Sequence, residues 1–135
     1  MRIRYLSAIV VGTASMFSGV SSVAHHSFAA EFDVSRPIQL SGVVKRMEFS
    51  NPHSWIYVNV TVNGEVQEWA IEGAAPNALL RRGWNRNSLP AGTQINVKGF
   101  QSRDLSYRAA GREVTLPDGS SLFLGSTGVG APRDE

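Results

Sequence analysis

The sequence predicts a small all-β domain with one short helix, folded as a five-stranded OB-fold-like Greek-key barrel. One observation is the alternation of aliphatic residues with aromatic and polar residues from Ser54 to Val62, which is typical of a half-buried strand. Another is the dipeptide Asn63-Gly64 directly after it, a strong hairpin signal. The third is the order β-β-β-α-β-β, which is that of an OB-fold. A β-sandwich is the alternative, but it would need about seven strands, more than the pattern supplies.

The first predicted strand begins at Ile38, and its apolar residues move from even-numbered to odd-numbered positions part-way along, which would put them on opposite faces. Ile38 and Leu40 share one face, and Gly42 stands where the pattern changes. The later apolar residues, of the opposite parity, are Val43, Met47 and Phe49. A bulge at Gly42 would explain the change, and a plain glycine within a regular strand is the other interpretation.

The register of the central hairpin follows if Asn63 and Gly64 are its two loop residues. Val62 then lies opposite Glu65, and Trp55 lies opposite Glu72. Because side chains alternate along a strand, one face becomes mostly apolar. The residues predicted for the opposite face include Trp55, Tyr57, Asn59 and Glu68.

The elements after the hairpin are one helix and two or three short strands. Pro76 opens a helix that runs to Arg82, and Gly83 follows it as a left-handed cap. A fourth strand is predicted at 94–100, and a fifth at 113–116. The chain then turns at 117–119 and returns through 122–124.

The N-terminal residues have the three parts of an export signal. Arg2 and Arg4 precede an apolar stretch over 5–20, and Ala24 ends a small-residue cleavage site. A membrane anchor is the alternative, but serines and glycines interrupt the stretch, which falls short of the ~20 strongly apolar residues that span a bilayer. We therefore expect a signal peptide at 1–24, an N-terminal segment at 25–37, the barrel domain at 38–124 and a flexible tail at 125–135. The mature protein would be periplasmic or secreted, without a membrane span.

Charge and cysteine content exclude several function classes. The chain has 13 Lys and Arg against 11 Asp and Glu, so removal of a signal that carries two arginines leaves the charges balanced. A balanced charge gives no support for a nucleic-acid partner. The chain has 0 cysteines, which excludes disulfides, iron–sulfur clusters and thiolate metal sites.

The three histidines indicate a metal site. Cleavage after Ala24 would make His25 the N-terminus, whose α-amine and ring Nδ1 chelate a metal together, and His53 would supply a third nitrogen. His26 is a possible substitute, and cleavage after Val23 would instead place His26 third in a square-planar site with two backbone amides. Nitrogen sets of this kind favour Cu(II). The alternatives without a metal are that His25 and His26 form an ordinary polar N-terminus and that His53 caps a turn.

A metal-free binding module is the alternative function. Trp55, Tyr57, Asn59 and Glu68 share a strand face that could contact a protein, a glycan or a small ligand. Catalysis is less well supported, because the sequence has no phosphate loop, zinc-hydrolase helix motif or nucleophile elbow. A metal-dependent redox enzyme would also need an open coordination position, which the sequence does not reveal.

Three motifs together resemble a family of small exported bacterial proteins of unknown function. The motifs are His25-His26-Ser27-Phe28 with Glu31-Phe32-Asp33, then Asn51-Pro52-His53-Ser54-Trp55-Ile56, then Pro76-Asn77-Ala78-Leu79-Leu80-Arg81-Arg82-Gly83-Trp84. The resemblance implies a small exported domain, periplasmic in a Gram-negative bacterium. The family has no established activity that could be assigned to these residues, so the metal hypothesis depends on the residues alone.

Overall fold

The computed structural model describes residues 28–125, which form a mostly antiparallel β-sheet with one short helix and a single helical turn. The predicted signal peptide and most of the predicted tail lie outside these residues. The elements in chain order are α1 (Phe28–Glu31), β1 (Phe32–Glu48), β2 (Trp55–Val62), β3 (Glu65–Glu72), α2 (Pro76–Arg81), β4 (Gln94–Ser102), β5 (Arg108–Thr115) and β6 (Ser121–Phe123). The all-β prediction with one short helix is therefore confirmed at this level.

The six strands are paired in the order β3-β2-β1-β4-β5-β6, with every neighbour antiparallel. The end of β3 also pairs with the start of β5 in parallel, through 70–72 and 108–110. The predicted hairpin register is confirmed throughout, from Val62 opposite Glu65 to Trp55 opposite Glu72. Asn63 and Gly64 both have positive φ, as the predicted two-residue turn requires.

The bulge in the first strand lies at Lys45, three residues after the predicted position. Val44 pairs with Val58 but Arg46 pairs with Tyr57, so Lys45 is the extra residue. Gly42 pairs regularly with Ile95, and a Cβ on it would lie 2.5 Å from the carbonyl oxygen of Asn59. Gly42 thus serves a close backbone approach, and the plain-glycine alternative is the better one. Val43, one of the apolar residues of the opposite parity, is 39% exposed.

The main core is formed by the apolar faces of the strands and by residues after β3. Ile56 and Val58 are fully buried, as their alternation predicts. Leu79 of α2 and Trp84 close one side, where Trp84 Nε1 donates a hydrogen bond of 2.9 Å to the carbonyl of Phe123. Gly83 has φ +91°, which confirms the predicted left-handed cap.

A second apolar cluster fixes the start of the described chain against the outside of the sheet. Phe28 and Phe32 are buried, and they pack with Ala110 and Phe100. The ring centroids of Phe28 and Phe32 are 5.4 Å apart, and those of Phe28 and Phe100 are 6.1 Å apart. Strand β1 consequently begins six residues before Ile38, and much of the predicted N-terminal segment belongs to the sheet.

The fifth strand also begins earlier than predicted, at Arg108 rather than Glu113. Its first half contains Ala109, Ala110 and Gly111, which are small and show no clear alternation. A Cβ on Gly111 would meet the side chains of Leu124 and Ile71, so packing selects small residues here. Within residues 28–125, we find no helix long and apolar enough to cross a membrane.

Candidate functional site

His53 lies in the turn between β1 and β2, where hydrogen bonds fix the backbone on both sides. Ser50 Oγ donates to the His53 carbonyl over 2.9 Å. Ser54 N donates to the Ala74 carbonyl over 3.1 Å, and Gly73 N donates to the Ser54 carbonyl over 2.8 Å. These bonds hold His53 beside the carboxyl end of β3, because Gly73 and Ala74 directly follow that strand.

The side chain of His53 faces Glu72, the last residue of β3. Nδ1 of His53 is 3.1 Å from Oε1 of Glu72, and the Glu72 side chain is only 9% exposed. Nδ1 is shielded from solvent and has no hydrogen bond of good geometry, so the contact is a close electrostatic approach with an imperfect angle. The His53 side chain is 34% exposed, and this exposure belongs to side-chain atoms other than Nδ1.

The start of the described chain is connected to this histidine–carboxylate pair through one residue of β5. Glu72 is paired with Ala110 across β3 and β5. Ala110 packs against Phe28, the first described residue. A short series of contacts therefore joins Phe28 to His53 through Ala110 and Glu72.

The loop between β4 and β5 clamps α1 in this position. Arg103 donates from Nε to the Ala29 carbonyl over 2.7 Å, and its backbone N donates to the Glu31 carbonyl over 2.9 Å. Arg108 Nη2 lies 3.2 Å from Oε2 of Glu31. The Arg108 guanidinium also lies 5.6 Å from the Trp55 ring centroid, which brings Trp55 to the same part of the surface.

The residues of the alternative binding face are in contact with neighbouring basic side chains. The Arg46 guanidinium lies 3.5 Å from the Tyr57 ring centroid. Glu68 forms ion pairs with Lys45 and Arg46, because the bulge turns both cations towards it. The hydrogen bond from Lys45, with the charges of both cations, lowers the pKa of the Glu68 carboxyl. Asn59 pairs with Glu68 in the strand register, so these residues share a face, which the chain's own side chains partly cover.

The basic segment after α2 has a structural explanation. Arg82 donates from Nη1 to the Gly125 carbonyl over 2.8 Å and lies 4.6 Å from the Phe123 ring centroid. Arg86 lies 5.8 Å from the ring centroid of Phe49. Arg81 ends α2, and Trp84 is 1% exposed. The cations of this segment therefore surround the end of α2 and a buried tryptophan.

Among the predicted metal ligands, the structure describes only His53. His25 and His26 lie outside the described residues. Within 28–125 no group of three or more His, Cys, Asp or Glu side chains is arranged to hold a metal ion. The sequence reasoning also missed Glu72 as the neighbour of His53, although the predicted register already placed Glu72 opposite Trp55, two residues beyond His53.

The comparisons with known proteins give a family without an assigned activity. No curated protein and no solved structure matches the chain significantly. One family model matches residues 14–111, which include α1, the His53–Glu72 pair and the α2 segment. The chain therefore belongs to DUF6152, a family of unknown function.

Proposed function

We propose that this protein binds a copper ion, without catalysis, through a mature N-terminal His25 and the ring of His53. The observation that carries the proposal is the position of Phe28, which packs on Ala110, the residue that pairs with Glu72, and Glu72 in turn contacts His53. His26 is the substitute ligand. The proposal also takes the protein to be exported, with cleavage after Ala24 and a periplasmic or secreted location.

The covalent reach of the chain makes this ligand set possible. His25 precedes Phe28 by three residues, and three peptide units span at most ~11 Å. Phe28 is itself buried against a residue that pairs with Glu72. The anchor therefore ties His25 to within ~11 Å of Phe28, whereas the sequence alone allowed the segment before Ile38 a much longer reach.

The chemistry of this donor set favours Cu(II). An N-terminal amine has a reference pKa of about 7.7 to 8, so a metal ion displaces its proton easily near neutral pH. The amine and the ring nitrogen of His25 chelate together, and the His53 ring adds a third nitrogen. Three nitrogens in a tetragonal arrangement select Cu(II) over the other common divalent ions.

We also infer that the sheet is a barrel of the OB-fold type. The parallel pairing of β3 with β5 supports this, because it connects the two ends of the run β3-β2-β1-β4-β5. The helix α2 between β3 and β4 agrees with the same fold. In such a fold the turn after the first strand belongs to the usual binding surface, and here that turn carries His53.

The test begins with the mature protein, whose N-terminus is determined by intact mass. Titration with Cu(II), followed by calorimetry and EPR, should give one tight site with nitrogen hyperfine structure. Trp55 pairs with Glu72, so copper at His53 should also quench its fluorescence. His25→Ala and His53→Ala should each weaken binding at least tenfold. Unchanged binding in both variants would disprove the proposal.

Two controls separate the amine from the rings. A protein with one additional N-terminal alanine retains every histidine but moves the amine, so its binding by His25 and His53 should weaken. His26→Ala should have a smaller effect than His25→Ala. If copper instead binds the unprocessed chain as tightly as the mature one, the N-terminal amine is not a ligand.

The metal-free binding module remains a second candidate. It predicts a partner that is captured by the wild-type protein and lost in Trp55→Ala with the fold intact. The contacts of Arg46 with Tyr57 and of Lys45 with Glu68 favour the copper proposal over this alternative, because a ligand would first have to displace them.

A further inference from the structure

We propose that a groove on the outer face of the sheet binds a small amphiphile, with an alkyl body and one carboxylate group. The groove runs from the first half of β1 across β4 to β5. Its volume is about 390 Å³, within the ~300–1,000 Å³ that is typical of small-ligand sites. The lining includes Pro37, Ile38, Lys98, Phe100 and Arg112. The proposal uses none of the copper ligands and goes beyond the proposed function.

The aromatic wall of the groove is Phe100, which also belongs to the cluster around Phe28. Ile95 and Val97 of the same strand are buried in the main core, so alternation places Lys98 and Phe100 on the outer face. The rings of Phe28 and Phe100 meet edge to face, with 84° between their planes. This contact holds the Phe100 ring, which is only partly buried and therefore presents an apolar surface to the groove.

A smaller cavity extends the apolar surface beyond Phe100. Its volume is about 20 Å³, and it shares Phe100 and Arg112 with the groove. The other walls are mostly apolar and include Phe28, Ala110 and Phe123. A space of this size holds about one water-sized group. It therefore has room for the terminal methyl group of an alkyl chain that lies in the groove.

A bulge in β5 places a cation beside this apolar surface. The register between β4 and β5 shifts by one residue, and Arg112 is the extra residue. Gly111 and Val114 both face the main core, since Val114 is fully buried and a Cβ on Gly111 would meet core side chains. The bulge thus turns Arg112 outwards, where it lines the groove. The backbone N–H groups of Leu124 and Gly125 donate to the Arg112 carbonyl over 2.8 and 3.2 Å and so fix the bulge.

Both charged side chains that line the groove are cationic. Lys98 is 58% exposed, and its ammonium donates to Glu113 over 3.2 Å. An ammonium has three N–H donors and a guanidinium has five, so Lys98 and Arg112 can each bind a carboxylate in addition to their present partners. No Asp or Glu is among the described residues that line the groove. Charge complementarity therefore favours an anionic group, and the aromatic wall favours an alkyl body.

The test titrates the full chain with sodium octanoate, at concentrations too low for micelles, and follows the amide NMR spectrum. We expect shift changes centred on 37–39, 98–100 and 112. Octylamine and 1-octanol carry the same alkyl chain with a positive charge and with no charge. Octylamine should bind at least ~10-fold more weakly than octanoate, because hydrogen bonds between charged groups are lost. Equal affinity for all three compounds, or shift changes confined to other parts of the protein, would overturn the proposal.

Charge variants identify the groups that bind the carboxylate. We expect the octanoate dissociation constant to rise ~10-fold or more in Arg112→Gln, which loses a guanidinium fork. Lys98→Glu should cause a similar rise, and because this side chain is exposed the variant remains informative if Arg112→Gln does not fold. Arg81→Gln is the matched control, since Arg81 is an exposed cation at the end of α2 and should change the constant less than twofold. A change below twofold in Lys98→Glu would contradict the proposed site.

Chain length tests the apolar part of the groove. Each methylene group that leaves water contributes a factor of ~4 in affinity, so octanoate should bind up to ~15-fold more tightly than hexanoate. Equal affinity would mean that charge alone attracts these compounds, and it would refute the proposal. Failure to bind octanoate, with groove amides that shift on dilution, would show that a second copy of the chain fills the groove. Failure to bind without a dilution effect would show that the groove is no ligand site, and either result would overturn the proposal.

Discussion

The substitution Phe28→Ala tests whether the anchor of the N-terminal segment creates the copper site. Phe28 is 6% exposed and packs in the small cluster outside the main core. Truncation of a buried phenylalanine costs ~3–5 kcal/mol in a protein core, and the peripheral position favours the lower end. We compare a form in which α1 packs on the sheet, called closed, with one in which α1 is released. Since 1.4 kcal/mol is a factor of ten in an equilibrium constant, ~3 kcal/mol would shift this equilibrium towards the released form by about 150-fold.

With the proposed ligand set the copper affinity should follow this equilibrium, because His25 precedes Phe28 by three residues and loses its anchor when α1 is released. The apparent dissociation constant rises as the closed fraction falls, so we expect a ~10- to 150-fold increase, depending on how far the closed form predominates in the wild type. The contacts from Arg103 to the Ala29 and Glu31 carbonyls limit the effect, since they still favour closure.

The assay combines Cu(II) titration with hydrogen exchange. Exchange should accelerate in α1 and in the first residues of β1, while β2 and β3 stay protected, because the main core does not include Phe28. Leu80→Ala is the control, since Leu80 is 53% exposed and lies on α2. If α1 is released and the copper affinity is unchanged, the anchor does not position the ligands, and the argument from proximity fails.

Three further predictions concern stability. In Gly42→Ala the new methyl group would lie 2.5 Å from the Asn59 carbonyl oxygen and 2.7 Å from a Val58 methyl carbon. Urea unfolding should therefore show that the free energy of unfolding falls by ~1–3 kcal/mol. A fall within the ~0.5 kcal/mol that is ordinary for surface substitutions would contradict the close approach. Trp84→Phe removes the donor to the Phe123 carbonyl and should cost ~1–3 kcal/mol in the same assay, and a neutral result would show that this carbonyl finds another donor. Hydrogen bonds from the Ser106 side chain and backbone lower the pKa of Asp104 from 3.8 to about 2, so its contribution is present above 3.8 and is lost as the pH falls towards about 2. The difference in unfolding free energy between wild type and Asp104→Asn should therefore shrink over that pH range, and a constant difference would refute the assignment.

The hairpin and the α2 segment show how much local pattern could predict. The period-2 alternation and Asn63-Gly64 fixed every pair between β2 and β3, because a two-residue turn leaves one register and a one-residue slip would invert the buried face. Pro76 and Gly83 likewise marked the ends of α2 to within one residue. Both predictions depended on residues close together in the chain.

The errors occurred where distant strands set the outcome. The position of the bulge depends on how β1 passes between β2 and β4, and Lys45 carries no local signal for it. The early start of β5 is hidden because Ala109, Ala110 and Gly111 are selected by packing space rather than by alternation. The partners of Phe28 and Phe32, which are Ala110 and Phe100, are likewise set by distant strands.

The sequence by itself determined the all-β class, the hairpin register, the short helix and the three histidines from which the copper hypothesis arose. Only the tertiary structure decided what surrounds His53. Glu72 is nineteen positions along the chain, yet the hairpin returns its Oε1 to 3.1 Å from Nδ1, and the parallel pairing of β3 with β5 brings Ala110, on which Phe28 packs, beside Glu72. Local alternation tells which face a residue occupies, but contacts between separate strands depend on how the whole sheet closes, and no short stretch of sequence contains that information.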